Sequence, residues 1–125
     1  GIDVKSEIDN FIKNQGGNTP EHDFDYFAVI YESMVNKYIE VKTDIEKILH
    51  KNFKRIHIIG GGAKSSVLTS MIANKMGVAV KAGPYESSAL GNILLSLLHM
   101  KEVKDLKTGI ELILGSCEIK TVDFE

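Results

Sequence analysis

Apolar residues recur along this chain in two rhythms, and each change of rhythm marks an element boundary. The longest run is helical. Phe24, Phe27, Ala28, Tyr31, Met34, Val35, Tyr38, Val41, Ile45, Ile48 and Leu49 fall at three- and four-residue steps. Glu32, Lys37, Glu40, Lys47 and Lys51 occupy the opposite face. Thr19 and Pro20 suit an N-cap and a first helical position. The spacing predicts a helix from there to about His50, roughly 45 Å long, with its aromatic stripe in the core. A shorter helix is predicted before it. Ile8, Phe11 and Ile12 share one face, Ser6 caps the start, and Gly16-Gly17 stop it.

Beyond residue 53 the rhythm changes. Lys54–Ile59 is a short strand-like stretch whose apolar run, from Ile56, ends in Gly60-Gly61-Gly62, and a new helical period opens at Val67. This predicts a buried strand, a tight loop, and a helix over Ala63–Met76. Val67, Leu68, Met71, Ile72 and Met76 should point inward, with Gly77 as the stop. Val78–Ala82 reads as a second strand. A strand, a helix and a strand make a βαβ unit, whose strands are parallel and whose crossover is right-handed. Gly83-Pro84 breaks the second strand, and a helix follows from Tyr85 to Met100. Gly91 inside that helix costs roughly 1 kcal/mol against alanine. With Ser88 and Ala89 beside it, it predicts another backbone passing close by. Asp105 caps a last helix through Leu114, and Glu118–Phe124 alternates as a short strand or an extended tail. The pattern as a whole predicts an α/β fold: one domain over residues 1–125, with a small parallel sheet flanked by helices on both faces.

Composition narrows the function classes. A net charge of −2 gives no bulk attraction to nucleic acid or to an anionic membrane, so neither is expected as a partner. Lys101, Lys104 and Lys107 are interleaved with Glu102 and Asp105 and read as a solvated surface. Cys117 is the single cysteine, which rules out an internal disulfide and fits a reducing, cytoplasmic setting. No apolar run approaches the roughly 18 residues of a membrane-spanning helix. His22, His50, His57 and His99 have no partners at ligand spacing and read as structural, so no metal site is expected from them.

The chemistry concentrates in Gly60-Gly61-Gly62-Ala63-Lys64-Ser65. Three glycines without Cβ atoms let the chain turn sharply and let a flat or charged ligand approach the backbone. A helix start beyond them offers free N–H groups and a positive dipole end. A phosphate or nucleotide suits such a place, and a purely structural strand-to-helix turn is the other reading. Neither the spaced Gly-x-Gly-x-x-Gly fingerprint nor a P-loop is present.

Three stretches together carry a resemblance. Ile58-Ile59-Gly60-Gly61-Gly62-Ala63-Lys64-Ser65 is followed by Ile72-Ala73-Asn74-Lys75-Met76-Gly77-Val78-Ala79-Val80, and then by Ala82-Gly83-Pro84-Tyr85-Glu86-Ser87-Ser88-Ala89-Leu90-Gly91-Asn92. This resembles the C-terminal domain of FGGY-family carbohydrate kinases. The Gly-Pro-x-Glu and Gly-Asn pair points to the rhamnulokinase branch, as does the helix Tyr31-Glu32-Ser33-Met34-Val35-Asn36-Lys37-Tyr38. The resemblance covers about residue 8 to the end.

It implies part of a ribonuclease H-like, actin-like ATPase fold, in which two domains close around ATP, Mg²⁺ and a sugar. Carried over by motif, Gly60, Gly61, Gly62, Ala63 and Ser65 would border the nucleotide, with Gly61 central. The departures are Ser65 where that branch usually has asparagine, Asn74 for an aspartate and Ala79 for a proline. The family's catalytic base is an aspartate expected upstream of Gly1, and the sugar-binding domain is expected there too. The chain is thus read as the ATP-binding C-terminal part of a sugar kinase, inactive by itself, with an open sheet edge prone to self-association. The alternative is a nucleotide-binding regulatory module of the actin-like superfamily without sugar chemistry. A Rossmann-like domain would call for an acidic ribose-binding residue at the end of the second strand, and that strand ends in Lys81-Ala82.

Overall fold

The computed structural model describes residues 3–124. Its contacts gather the chain into two compact units divided between Val41 and Lys42.

The first unit holds α1 (Val4–Asn14) and most of α2 (Asp23–Leu49). The cap of α1 is Asp3 rather than the expected Ser6. Its carboxylate accepts the Lys5 N–H at 3.2 Å and the Ser6 hydroxyl at 2.7 Å. A charged acceptor at the positive end of the helix wins over a neutral hydroxyl. The Ser6 hydroxyl in particular holds the Asp3 carboxyl below its ordinary range. Helix α2 likewise begins later than Thr19-Pro20 suggest. His22 and Asp25 close a reciprocal capping pair: the His22 N–H donates to Asp25 Oδ2 and the Asp25 N–H to the His22 carbonyl, both at 3.0 Å. Lys5 reaches Asp23 at 2.6 Å and the Tyr26 hydroxyl donates to Asp9 at 2.8 Å, tying the two helices together. The helical period of α2 is as expected, but its burial is not. Val35 alone in α2 is buried, while Phe24 is 84% and Phe27 61% exposed. Tyr38 of the same stripe is exposed as well, while Tyr31 and Met34 are half-buried.

The second unit carries the sheet. Glu46, near the end of α2, accepts from Lys42 at 2.8 Å and from the Phe53 N–H at 2.6 Å. The Lys42 ammonium, then the Phe53 amide, hold its carboxyl below the usual range. Strand β1 (Arg55–Ile58) leads through a 3-10 turn (Gly61–Lys64) into α3 (Ser66–Met76) and β2 (Ala79–Ala82). Helices α4 (Ser87–His99) and α5 (Leu106–Ser116) follow, then β3 (Lys120–Val122). Strands β1 and β2 are parallel, with Ile58 opposite Ala82. The expected all-parallel sheet is corrected by β3, which returns antiparallel to β2 and gives a mixed sheet in the order β1-β2-β3.

Position in the sheet decides burial. β2 lies between two strands and under α3, and Val80 and Ala82 are buried with Leu68, Ile72 and Ala73 of that helix. β1 was expected to be buried but is an edge: Arg55 and His57 are exposed, and Ile56 and Ile58 half-buried. In α3, Thr69 takes the inward place expected of Val67, which is 59% exposed. The Thr69 hydroxyl is shared between the carbonyls of Ser65 and Ser66 at 3.1 Å each, so its burial strands no polar group. Gly77 ends α3 in the left-handed conformation, as expected. Asp105 caps α5, accepting the Thr108 N–H at 2.7 Å. The expected helix cover on both faces reduces chiefly to α3 on β2 and β3, while α4 and α5 pack on each other around Leu94, Val103 and Gly109.

Candidate functional site

Parallel pairing in register makes β1 and β2 leave the sheet at the same edge. The two loops that follow are therefore neighbours, and backbone hydrogen bonds lock them together. The Gly83 N–H donates to the Ile58 carbonyl at 2.8 Å, and the Gly60 N–H to the Pro84 carbonyl at 3.3 Å. In open α/β sheets, ligands bind outside the carboxyl ends of the strands, which is where these loops lie.

The glycines of the site differ in why they are glycines. Gly60 has φ +77° and Gly83 φ +116°, a region where side chains are strained. Gly83 also faces the Glu118 carbonyl, which a Cβ would approach to 2.7 Å. Gly61 and Gly62 have no positive φ, and a Cβ on either would meet nothing within 4 Å. The fold thus requires glycine at positions 60 and 83 and gives no reason for it at 61 and 62.

The turn after Gly60 is tighter than expected. A 3-10 turn separates the glycines from α3, closed by the Ala63 N–H on the Gly60 carbonyl at 3.1 Å and the Ser65 N–H on the Gly62 carbonyl at 3.2 Å. The N–H groups of Gly61 and Gly62 open this turn and have no acceptor within it. Ser65 is the N-cap of α3, its side-chain oxygen accepting the Leu68 N–H at 3.2 Å. The donors beside the glycines are therefore those of the 3-10 turn, and Ser65 answers part of the α3 terminus itself. Ala63 is 4% exposed and anchors the turn in the core. Of the five residues expected at the site, Gly61 and Gly62 are exposed, Gly60 and Ser65 half-buried, and Ala63 buried.

Three further side chains converge here that were not expected as site residues. Lys64 Nζ lies 3.2 Å from Glu86 Oε1 and 5.7 Å from the centroid of the Tyr85 ring. The signal was present: Tyr85-Glu86 follows the second strand at the same edge as the glycines, provided the strands pair in register. Among the described residues no group of three or more His, Cys, Asp or Glu is placed to hold a metal ion. Nor, among those residues, is any helix long and apolar enough to cross a membrane.

The family model described as "FGGY family of carbohydrate kinases, C-terminal domain" matches residues 11–100, and the chain belongs to that family. Among its relatives are proteins named rhamnulokinase. That of Halalkalibacterium halodurans is 31% identical over 114 residues, covering 91% of this chain and 24% of the relative. That of Bacillus subtilis is 33% identical over the same length and coverage. That of Bacteroides thetaiotaomicron is 29% identical over 119 residues, 95% of this chain and 24% of the relative. The chain spans about a quarter of the length of these relatives. The resemblance read from the glycine loop and the Gly-Pro-x-Glu segment is thereby borne out.

Proposed function

We propose that this chain supplies the nucleotide wall of a rhamnulokinase-like sugar kinase of actin-like fold. The parent reaction moves the γ-phosphoryl group of ATP to a hydroxyl of a ketose such as rhamnulose. One observation carries the assignment: Gly61 and Gly62 are glycines with no conformational or steric reason inside the chain. Glycine in a helical turn is disfavoured by about 1 kcal/mol against alanine. A ligand lying against the bare backbone accounts for it, and the neighbouring N–H groups suit phosphate oxygens. Gly60 shapes the turn, Ala63 roots it in the core, and Ser65 fixes the start of α3. Mg²⁺ suits the phosphates of the bound nucleotide rather than a cage of side chains, since this hard cation is commonly held by one or two carboxylates together with substrate phosphates. Its chemistry is to offset phosphate charge during transfer.

The proton acceptor for the sugar hydroxyl belongs to another part of the parent, so the 125-residue chain alone has no sugar-dependent turnover. The competing reading, a nucleotide-binding regulatory module, shares the glycine loop and lacks transfer to a sugar. Kinetics of the full-length protein and its Gly61→Val variant separate these. Sugar-dependent ADP release is expected from the full-length protein and not from the 125-residue chain. In the variant the ATP KM should rise about tenfold, equivalent to ~1.4 kcal/mol, with the sugar KM changed far less. Equal changes in both constants, or loss of folding, would show that Gly61 serves only the turn. A full-length protein that binds ATP but turns over no sugar would favour the regulatory module.

A further inference from the structure

The ion pair between Lys64 and Glu86 joins the two loops, yet the loops do not depend on it. Two backbone hydrogen bonds already hold them, from Gly83 to Ile58 and from Gly60 to Pro84. The pair itself is open to water, with 58% of the Lys64 and 74% of the Glu86 side-chain surface exposed. A surface pair of this kind contributes little to stability. Glu86 therefore keeps the ammonium beside the glycines without fixing it there. The Tyr85 ring flanks the ammonium at 5.7 Å, a cation–π contact that limits where the flexible lysine stem can swing. Gly61 and Gly62 stand close by in sequence, with bare backbone and N–H groups that open the turn.

A phosphate group changes this balance. It carries more charge than a carboxylate and forms charge-assisted hydrogen bonds with an ammonium. Placed against the glycines, it would draw Lys64 away from Glu86, whose own charge stays screened by water. Glu86 left behind remains solvated, so releasing its partner costs little.

We propose that Lys64 binds the phosphates of the nucleotide and that Glu86 is its resting partner, so that nucleotide binding exchanges one salt bridge for another. This rests on the nucleotide reading of the glycine loop. The exchange makes Glu86 a brake on affinity and Lys64 a phosphate-specific contact.

Calorimetric titration of the full-length protein with ATP, ADP and adenosine tests the exchange in wild type, Lys64→Gln, Lys64→Arg, Glu86→Gln and the Lys64→Gln/Glu86→Gln double variant. Lys64→Gln should weaken ATP and ADP about tenfold, the effect of one charge-assisted hydrogen bond, and leave adenosine unchanged. Lys64→Arg should retain most of the affinity, which guards against a merely structural effect. Glu86→Gln should tighten ATP about threefold. In the Lys64→Gln background the same change should do nothing, because the two side chains act as a unit. ATP binding that is unchanged in Lys64→Gln would overturn the exchange while leaving the nucleotide site in place. A Glu86→Gln gain that persists without Lys64 would reduce Glu86 to simple repulsion and also overturn it. Failure of the wild-type protein to bind any of the three ligands would remove the nucleotide reading, and the exchange with it.

Discussion

The loop after β1 and the loop after β2 lie at one sheet edge, and Gly61-Gly62 in the first and Gly83 in the second are glycines for opposite reasons. Gly83 is filled in: its φ is +116° and the Glu118 carbonyl occupies the place of a side chain. Gly61 and Gly62 are empty: ordinary backbone, and nothing within 4 Å of a Cβ. A glycine that the fold needs can be explained from the coordinates of the chain that contains it. One that the fold does not need leaves room for something the chain does not contain. That contrast can be broken or sharpened by giving each glycine the smallest possible side chain.

The largest effect is expected at Gly83. Gly83→Ala combines a left-handed φ with a Cβ pressed to 2.7 Å from a backbone oxygen, which cannot rotate away. The two costs together come to about 3 kcal/mol, a large fraction of the stability of a small domain. Chemical denaturation of wild type and variant reads it directly. A loss under about 1 kcal/mol would mean that the tail at Glu118 yields easily, and the contrast between the loops would collapse.

Gly109→Ala comes next. Its Cβ would collide with Leu94 Cδ1 and touch Val103 Cγ2 at 3.4 Å. Leu94 and Val103 are both 9% exposed, so the leucine has little room to move. Overpacking costs about 1–3 kcal/mol, and the helical preference of alanine over glycine returns up to about 1. A net loss of about 1 kcal/mol is expected from the same denaturation experiment. Leu94→Val, which removes the Cδ1 atom, should make Gly109→Ala nearly neutral in the double variant. A double variant no better than the sum of the singles would place the clash elsewhere.

Much of this architecture is legible in the residues alone, and the gaps share a cause. Helical periods, the Gly77 stop, the Asp105 cap and the strand pair around the glycine loop depend on neighbours in sequence, and local chemistry decides them. Burial depends on neighbours in space. The apolar run Ile56-His57-Ile58-Ile59 reads like an interior strand, but in the sheet it is an edge with one partner. The stripe of α2 reads like a core, yet Phe24 and Phe27 are exposed, because a helical period marks an apolar face and does not itself supply the layer that would cover it. Cap choice fails more narrowly. Ser6 and Thr19 are good caps by type, but Asp3 and the His22–Asp25 pair offer charge or reciprocity nearby. At the candidate site the glycines and Ser65 stand out in the sequence. The role of Ser65 as a cap and the meeting of Lys64 with Glu86 do not, because both depend on where the 3-10 turn ends and on strand register.

The smallest effect, and the one of opposite sign, is expected at Gly91. It lies in the second turn of α4, where Gly91 together with the small residues Ser88 and Ala89 predicts a backbone packed against the helix. In this chain the space is open, with nothing within 4 Å of a Cβ and no positive φ. By the logic of Gly61, the fold has no use for glycine there. Gly91→Ala should therefore stabilise the 125-residue chain by about 0.5–1 kcal/mol, through the lower backbone entropy of alanine when unfolded and its better helical propensity. Thermal unfolding of the chain checks the sign. A destabilised variant would mean that something crosses α4 at Gly91 after all. The same substitution in the full-length protein completes the test. If it also stabilises there, Gly91 answers to no neighbour. If it destabilises there, a segment outside this chain packs against the first turns of α4, on a helix that begins beside Glu86 and the glycine loop.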